Sequence, residues 1–554
     1  MFHSLVNNLR SSMKDGFRSG NPTRDYFVLI PVWLAVSLIL TTLALRNVSA
    51  PGLYYDEAVF AGLAKDFING NAHGLHMPGT QTVQLFGRPF PLFVQSYLGA
   101  VKAWLIIPSF LVFGESIPVL RLTALFWCLI GLLFFMLWTR RLFGLPAALI
   151  AAPMLGLDPS FYFISVLDWG SCIPSFLCRL SGYYFIFLWW HDQKIRYGLV
   201  AAFLLGLGIC NKIDFVVILS GCGIAVAAVY GKEIVVSIRN FPRKYMLICF
   251  GFLLGASPMA LKIWMILQSL FTGRISQNEH DMLEKVTTIL AMYDGSYMYR
   301  LMQVGGRFDT MYSQQNSVWT PFGIVAVFSC IFLLSSIVQR KGALPERRTT
   351  AFILLSMVFI TAGVFLLPGA VRIHHATLVY PFPHLIVVSA ITMLWRAAPA
   401  SSITTRSIRI CAGGIAVMVI VGHLLAILKT GDLMEATGGR GNWSDSIAAF
   451  CDEVKGHSEL TVVSLDWGFN EQLSFLGRGV QLSEPLWDNR NIQISPDAIY
   501  LVHPPEYALF PQGLEFFRMA SQQSPRNITI KPYRDRQGSV AFYAIRFIGE
   551  KAGL

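Results

Sequence analysis

Two adjacent carboxylates, Asp56 and Glu57, lie in the stretch Leu53-Tyr-Tyr-Asp-Glu-Ala-Val-Phe, a few residues after an apolar run long enough to cross a bilayer. A carboxylate held beside a membrane can take a proton from a hydroxyl group and so act as a general base. The alternative interpretation is that the pair caps an interfacial helix, where acidic side chains suit the helix dipole. The other charged residues of the chain favour the chemical interpretation.

Two further aspartates fall in the next segment predicted on the same side of the membrane. They are Asp158 and Asp168, the second within Ser165-Val-Leu-Asp-Trp-Gly. An unpaired carboxylate in such apolar surroundings is costly, so we expect a cation, a metal ion or a hydrogen-bond donor beside Asp168. Four acidic groups thus converge on one face, and we predict catalytic roles for Asp56, Glu57 and Asp168.

Cationic residues occupy very short turns between apolar runs on that same side. Lys212 lies in Cys210-Asn-Lys-Ile-Asp, and Arg372-Ile-His-His comes shortly before Tyr380-Pro-Phe-Pro. A cation at this depth can meet a lipid phosphate at the interface. We therefore predict a set of substrate-binding residues: Lys212, Arg372, His374, His375, Tyr55, Asp158 and Tyr380. Carboxylates for acid–base catalysis beside cations for phosphate suit chemistry on a lipid-linked phosphate.

Composition places these residues in a membrane protein. Of the 554 residues 54% are hydrophobic and 14% charged, and the mean hydropathy is +0.53. Because a helix needs about 20 apolar residues to cross a bilayer, the sequence predicts about eleven transmembrane helices. The apolar runs are 27–46, 117–138, 145–157, 174–190, 197–210, 213–230, 246–271, 319–338, 351–367, 377–395 and 408–428.

The distribution of Lys and Arg predicts the orientation. If residues 1–26 are cytoplasmic, the inner loops carry most of these cations, as cytoplasmic loops do. The net charge of +12 then reflects topology and contact with anionic membrane lipids, and it requires no nucleic-acid partner. We expect a multi-pass protein of the plasma membrane, or of the inner membrane in a bacterium, with its reactive face on the periplasmic or extracellular side.

Three regions follow from this topology: a cytoplasmic N-terminus (1–26), a transmembrane catalytic domain (27–428) and an extracytoplasmic soluble α/β domain (429–554). The outer loop 47–116 is predicted to contain helices lying in the interface, including the amphipathic piece 90–98. A second outer loop spans 272–318. The tail is predicted to have helices over 444–454 and 470–476 and strands at 460–465, 499–502, 528–530 and 539–545. Its expected role is docking an acceptor or covering the membrane site.

The order of several motifs resembles a known superfamily. A first outer loop with Tyr54-Tyr-Asp-Glu-Ala-Val-Phe-Ala-Gly-Leu-Ala-Lys, then Phe113-Gly-Glu-Ser-Ile-Pro-Val-Leu-Arg, then Arg140-Arg-Leu-Phe-Gly, is similar to the GT-C membrane glycosyltransferases. The most similar branch holds the protein O-mannosyltransferases and the lipid A aminoarabinose transferases. The resemblance implies the GT-C fold and transfer of a hexosyl or pentosyl group from a polyprenyl phosphate to a glycan, lipid or protein acceptor.

The resemblance also implies roles for individual residues. Asp56 matches an aspartate that is the candidate general base, and Asp168 matches an aspartate of the second outer segment, although Trp169 replaces a frequent proline. Lys212 matches a lysine that contacts the carrier phosphate, with Asn-Lys-Ile in place of Thr-Lys-Gly. Glu279-His280 is similar to a pair that contributes to a divalent-metal site, the alternative being a surface histidine in a polar loop. Displacement assisted by such a base inverts the anomeric carbon.

Two other classes of protein fit part of this pattern. A polytopic lipid or sugar transporter, or a flippase, would distribute charges along a path and contain broken helices at mid-membrane. A catalytically idle relative would use its tail to bind an envelope partner. The gathering of acidic residues at one face favours the enzyme.

The predicted topology places the C-terminus outside the cytoplasm, because eleven spans from an inside N-terminus end there. A reporter that is active only in the cytoplasm, fused after Leu554, is expected to be inactive. Activity of that fusion would contradict the orientation.

Overall fold

A computed structural model describes residues 22–70, 79–167, 169–262, 279–308, 310–342, 344–397, 403–477, 480–486, 491–524 and 526–548. The chain is mostly helical, with a small three-stranded sheet near its beginning and a five-stranded sheet near its end. The predicted fold class, a helical membrane protein with a C-terminal α/β region, is confirmed.

Within the described residues, which end at 262 for the run 246–271, every predicted apolar run coincides with helical structure. An apolar backbone in lipid must satisfy its own hydrogen bonds, as a helix does. The helices of the membrane region are α1 (Pro22–Arg46), α4 (Ile117–Phe143), α5 (Leu145–Gly156), α6 (Pro159–Val166), α7 (Cys172–Asp192), α8 (Ile195–Asn211), α9 (Phe215–Asn240), α10 (Pro242–Ala260), α13 (Phe322–Val338), α14 (Leu344–Leu366), α15 (Ile373–Ala376), α16 (Phe382–Ala397) and α17 (Ile403–Thr437).

Six of the described helices are long and apolar enough to cross a membrane. Two bent pairs could each add one span: α5 with α6, bent by 60°, and residues 373–379 with α16, bent by 41°. The helices α8 and α13 are apolar but shorter than a typical span. The predicted count of eleven therefore stays a prediction. One continuous apolar core joins α1, α4 to α7, α9 and α13 to α17.

The first outer loop differs from its prediction. It contains helices α2 (Tyr55–Asn69) and α3 (Val101–Phe113), but between them lie antiparallel strands β1 (Gln81–Leu85), β2 (Arg88–Gln95) and β3 (Leu98–Gly99). The predicted helix over 90–98 is wrong. Pro89 and Pro91 remove amide donors from any helix there, and Phe86 and Gly87 both have positive φ, as a tight hairpin turn requires.

The second outer loop and the tail supply the remaining elements. The loop contains α11 (Glu279–Tyr293) and α12 (Tyr297–Gln303). The tail contains α18 (Ser446–Val454), β4 (Thr461–Ser464), α19 (Phe469–Leu476), β5 (Gln481–Ser483), β6 (Ala498–Val502), α20 (Pro511–Ser521), β7 (Ile528–Arg534) and β8 (Val540–Phe547). Its sheet has the strand order β5-β4-β6-β8-β7. The helices and strands predicted for the tail are confirmed, whereas α20 and β5 were not predicted.

The C-terminal domain is fastened to the first outer loop through α19. The Lys65 ammonium of α2 donates to the backbone carbonyls of Ser474 (3.1 Å) and Phe475 (2.7 Å), at the end of α19. Gln472 donates to the carbonyl of Leu53 at 2.6 Å. Because Phe475 also shares an apolar cluster with α2 and α3, the start of α2 lies directly beneath this domain.

Candidate active site

Glu57 fixes the start of α2 through an ion pair and a backbone hydrogen bond. Its carboxylate is fully buried and forms an ion pair with the guanidinium of Arg121, at 2.8 and 2.9 Å. The same guanidinium donates to the carbonyls of Val48, Pro51 and Gly52. Glu57 also accepts from the backbone N–H of Tyr54. This carboxylate is therefore occupied with positioning the loop and the helix, and its predicted catalytic role stays a prediction.

Asp56 has different neighbours. Its carboxyl group lies close to the ammonium groups of Lys102 and Lys212 and to the indole of Trp169. Lys102 Nζ lies 3.3 Å from the Asp56 backbone oxygen and over the ring of Phe60. The Trp169 Nε1–H is buried and makes no hydrogen bond that meets normal geometry with a described residue. Asp56 is thus the carboxylate that faces a cationic, partly accessible site.

Burial raises the pKa of Asp56 above its ordinary value, while the charges of Lys102 and Lys212 oppose that rise. A carboxylate with a raised pKa is a better proton acceptor near neutral pH, provided that it stays ionised. The two cations keep the ionised form accessible. The surroundings of Asp56 therefore suit a general base.

Lys212 is positioned by the sheet of the first outer loop. The turn between α8 and α9 pairs with β3, where the Ile213 N–H donates to the Tyr97 carbonyl at 3.1 Å. This approach needs Gly99, because a Cβ there would lie 2.0 Å from the carbonyl oxygen of Cys210. The sheet thus sets the place of the cation that was predicted to bind phosphate.

Two predicted residues, Lys212 and His375, lie in a row with Asp214, which was not predicted to belong to the site. The ammonium of Lys212 lies 3.0 Å from Asp214, whose Oδ2 lies 3.3 Å from Nδ1 of His375. Burial alone would raise the pKa of Asp214, but Lys212 and His375 lower it to about 2. Burial would likewise lower the pKa of Lys212, but Asp214 raises it. The Lys212 ammonium and the Asp214 carboxylate are therefore both charged at neutral pH.

A small cavity adjoins this row, between α7 and the segment 374–378. Arg179, on α7, is buried there with its guanidinium over the ring of Phe176 and one N–H donated to the Leu378 carbonyl. Its Nε makes no hydrogen bond to any described residue. Lys212 and His374 line the same cavity. Asp214 lines the cavity as well, and the cavity's free volume is about 10 Å³. Its two cations and the unused guanidinium N–H are the kinds of group that bind phosphate.

Arg372 and His374 lie at the edge of the same region. Arg372 forms an ion pair with Glu284 of α11 and packs over the ring of Phe308 at 3.4 Å. The ring of His374 lies 6.2 Å from that of Trp169, beside Asp56. The structure therefore brings Asp56, Lys212, His374 and His375 into one neighbourhood, with Arg372 already paired.

Asp158 and Tyr380 contact each other, in the interior of the helical region. The Tyr380 hydroxyl donates to both Asp158 oxygens at 3.1 Å, and His384 Nε2 lies 3.3 Å from the same carboxylate. His423 lies 4.0 Å away. All four side chains are buried. Their predicted substrate contact stays a prediction.

Three predicted residues cannot be placed. Asp168 lies outside the described residues, and Glu279 and His280 begin α11 without described side chains. Within the part of the chain that the structure describes, no group of three or more His, Cys, Asp or Glu residues suits a metal ion. The divalent metal stays a prediction.

The C-terminal domain adds aromatic residues to the site. Trp443 stacks on Tyr54 at 3.8 Å between ring centroids and lies 5.3 Å from Trp169. Trp467 lies 4.3 Å from Tyr55, the residue before Asp56. Tyr55, predicted to bind substrate, is thus shared between the first outer loop and the domain above it.

Sequence reasoning missed several residues that surround Asp56. Lys102 and Arg179 are single cations within apolar helices, a signal that could have identified both. Trp467 and Glu471 follow Asp56 by more than 400 positions in the sequence, and no local pattern connects them to it. Glu471 nevertheless lies close to Asp56, and the charge of Asp56 helps to raise the pKa of Glu471.

Comparisons with known proteins agree with this architecture. Residues 99–274 match the profile of the dolichyl-phosphate-mannose-protein mannosyltransferase family. A search of curated protein sequences finds no match.

Among solved structures, the chain is similar to ArnT from Cupriavidus metallidurans bound to undecaprenyl phosphate, with a TM-score of 0.55 and 12% identity over 95% of this chain and 99% of ArnT. It is also similar to the oligosaccharyltransferase AglB from Archaeoglobus fulgidus in complex with an inhibitory peptide and a dolichol-phosphate, with a TM-score of 0.50 and 13% identity over 84% of this chain and 65% of AglB. The predicted resemblance to GT-C glycosyltransferases is confirmed.

The ion pair of Glu57 yields a prediction for stability. Glu57→Gln leaves the Arg121 guanidinium buried without its counter-charge, which costs about 3–5 kcal/mol. We expect a clearly lower melting temperature in detergent than for Asp452→Asn, an exposed carboxylate of the C-terminal domain. Equal melting temperatures would show that the ion pair between Glu57 and Arg121 contributes little to stability.

Glu471 yields a prediction for pH dependence. Burial, together with the nearby Glu484 and Asp56 carboxyls, raises its pKa from 4.5 to about 8. The folded state then binds more protons than the unfolded state, so stability falls as pH rises between those two values. Glu471→Gln, which stays neutral, should melt at a higher temperature than the wild type at pH 8 and at a similar temperature near pH 5. A difference independent of pH would contradict the assignment.

Proposed function

We propose that this chain, a membrane protein of the GT-C glycosyltransferase superfamily, transfers a sugar from a polyprenyl-phosphate donor to a hydroxyl group on the extracytoplasmic side of the membrane. The observation that carries the proposal is the placement of the Asp56 carboxyl beside Lys102 and Lys212, next to the cavity that holds Arg179. Undecaprenyl phosphate in ArnT and dolichol-phosphate in AglB support a polyprenyl carrier. The profile match to a mannosyltransferase family supports transfer of a hexose.

In the proposed reaction each group has a separate role. Arg179 and Lys212 hold the phosphate, and the acceptor hydroxyl approaches the anomeric carbon from the opposite side. As the new C–O bond forms, the bond between the anomeric carbon and the phosphate oxygen breaks and the phosphate leaves with the electron pair. Asp56 takes the hydroxyl proton. This in-line displacement inverts the anomeric configuration.

A transporter or flippase is the alternative, and one observation favours it. The two bent helix pairs break at residues 157–158 and 380–381, as transporters often break helices at mid-membrane. Helix breaks of this kind can also position the residues of an active site. The profile match to a mannosyltransferase family supports sugar transfer. Reconstituted protein that moves a lipid-linked sugar between leaflets, without forming a glycoside, would favour the alternative.

The role of Asp56 predicts a large loss of rate. Asp56→Asn keeps the shape of the side chain but cannot accept the proton, so transfer should fall by about 10²–10⁴-fold. The measurement is sugar transfer from a polyprenyl-phosphate donor by purified, folded protein. Glu57→Gln, compared at an equal amount of folded protein, should lose much less activity. The reverse ranking would overturn the assignment of the base.

The phosphate site predicts a loss of carrier binding. Lys212→Ala and Arg179→Ala should each weaken binding of undecaprenyl phosphate by about tenfold or more, because each removes a charged hydrogen-bond donor. Lys194→Ala is the matched control, since Lys194 is exposed at the opposite end of the same helix as Lys212. Unchanged binding in both site variants would place the phosphate elsewhere.

A further inference from the structure

The C-terminal domain presents a second group of side chains near Asp56, from α19, the residues just before it and the residue after β5. Trp467 is partly exposed and lies against Tyr55, with 31° between the ring planes. Glu471 and Glu484 both influence the pKa of Tyr55, as Asp56 does. Tyr97, which is 43% exposed, lies near Asp56 from the side of the first outer loop. These residues lie around Asp56, and Tyr97 also lies near Lys212 and Asp214.

Glu471 is the most informative member of this group. It is 8% exposed, and its Oε2 makes no hydrogen bond to any residue that the structure describes. Its carboxyl lies close enough to those of Asp56 and Glu484 for their charges to raise its pKa. The attachment of α19 to α2 depends on other groups, namely Lys65 and Gln472. A buried polar atom without a partner, in a position that the domain contact does not use, indicates a ligand.

The chemistry of the group identifies the class of ligand. A sugar ring has an apolar C–H face, which packs on an aromatic ring, and several hydroxyl groups, each a donor and an acceptor. Because the pKa of Glu471 is about 8, its carboxyl is mostly protonated at neutral pH and can donate as well as accept. A metal ion would instead require several ionised ligands close together, and the described residues contain no such group.

We propose that Trp467, Tyr55 and Glu471, with Glu484 at the rim, form a subsite for a carbohydrate acceptor. The acceptor ring packs on Trp467, its hydroxyl groups hydrogen-bond with Glu471 and Glu484, and one further hydroxyl lies at Asp56. The C-terminal domain thereby supplies residues that bind the acceptor beside Asp56. This inference rests on the proposed function, because it assigns the acceptor for that same reaction.

The experiment measures two kinds of binding on the full-length protein in lipid nanodiscs. One arm measures the affinity for undecaprenyl phosphate. The other measures the binding of each methyl hexoside and methyl pentoside in a panel, by saturation-transfer NMR. We expect at least one methyl glycoside to bind, and Trp467→Ala and Glu471→Ala each to weaken it by about tenfold. Glu471→Gln should bind close to the wild-type level at neutral pH. Glu515→Gln, an exposed carboxylate on α20 of the same domain, is the matched control.

The two arms separate failure of the subsite from failure of the function. Carrier binding without binding of any glycoside, or glycoside binding equal in all the variants, would overturn the subsite alone. Binding of a serine-containing peptide that competes at Trp467, with no glycoside bound, would also overturn it and indicate a protein acceptor. Absence of carrier binding would overturn the proposed function. If Trp467→Ala does not fold, the contrast between Glu471→Ala and Glu471→Gln decides the proposal.

Discussion

The bond between Asp158 and Tyr380 joins the two places where the membrane helices break. Asp158 lies at the break between α5 and α6, where it also accepts from the backbone N–H of Phe161 and so begins α6. Tyr380 lies at the break before α16. A carboxylate inside a membrane protein must be satisfied by specific partners, and this one receives a hydroxyl, a backbone amide and an imidazole. The two breaks are thereby fixed relative to each other.

The rest of the site depends on that junction. The segment after α6 leads directly to Trp169, which lies beside Asp56, and the segment before Tyr380 contains His374 and His375. His375 in turn contacts Asp214, the partner of Lys212. Asp158 thus joins two segments that lead to the cavity around Arg179, and it does not line that cavity itself. Loss of Asp158 would therefore act on the proposed reaction indirectly, by displacing the residues of these two segments.

Sequence reasoning located the elements of the fold where apolarity or local pattern defines them. Apolar runs became helices because lipid leaves the backbone no other partner, and the strands of the tail alternate as half-buried strands do. The prediction failed over 90–98, where an amphipathic composition concealed a hairpin set by Pro89 and Pro91. Asp56 and Lys212 could be linked because both were assigned to one membrane face. Glu471 could not be linked to them from the sequence, because only the packing of α19 on α2 brings it near Asp56.

The charges around the site explain how one arrangement can serve binding and chemistry. Among the described residues, Lys102, Lys212 and Arg179 carry three positive charges, and Asp56 and Asp214 carry two negative charges. In the proposed reaction the donor is a sugar-phosphate-prenyl phosphodiester with one negative charge, which this excess would balance. When the sugar leaves, the phosphate becomes a monoester and its charge approaches two, as phosphate groups do near neutral pH. In that reaction the cations would interact more strongly with the departing phosphate than with the donor, which is the condition for lowering the barrier.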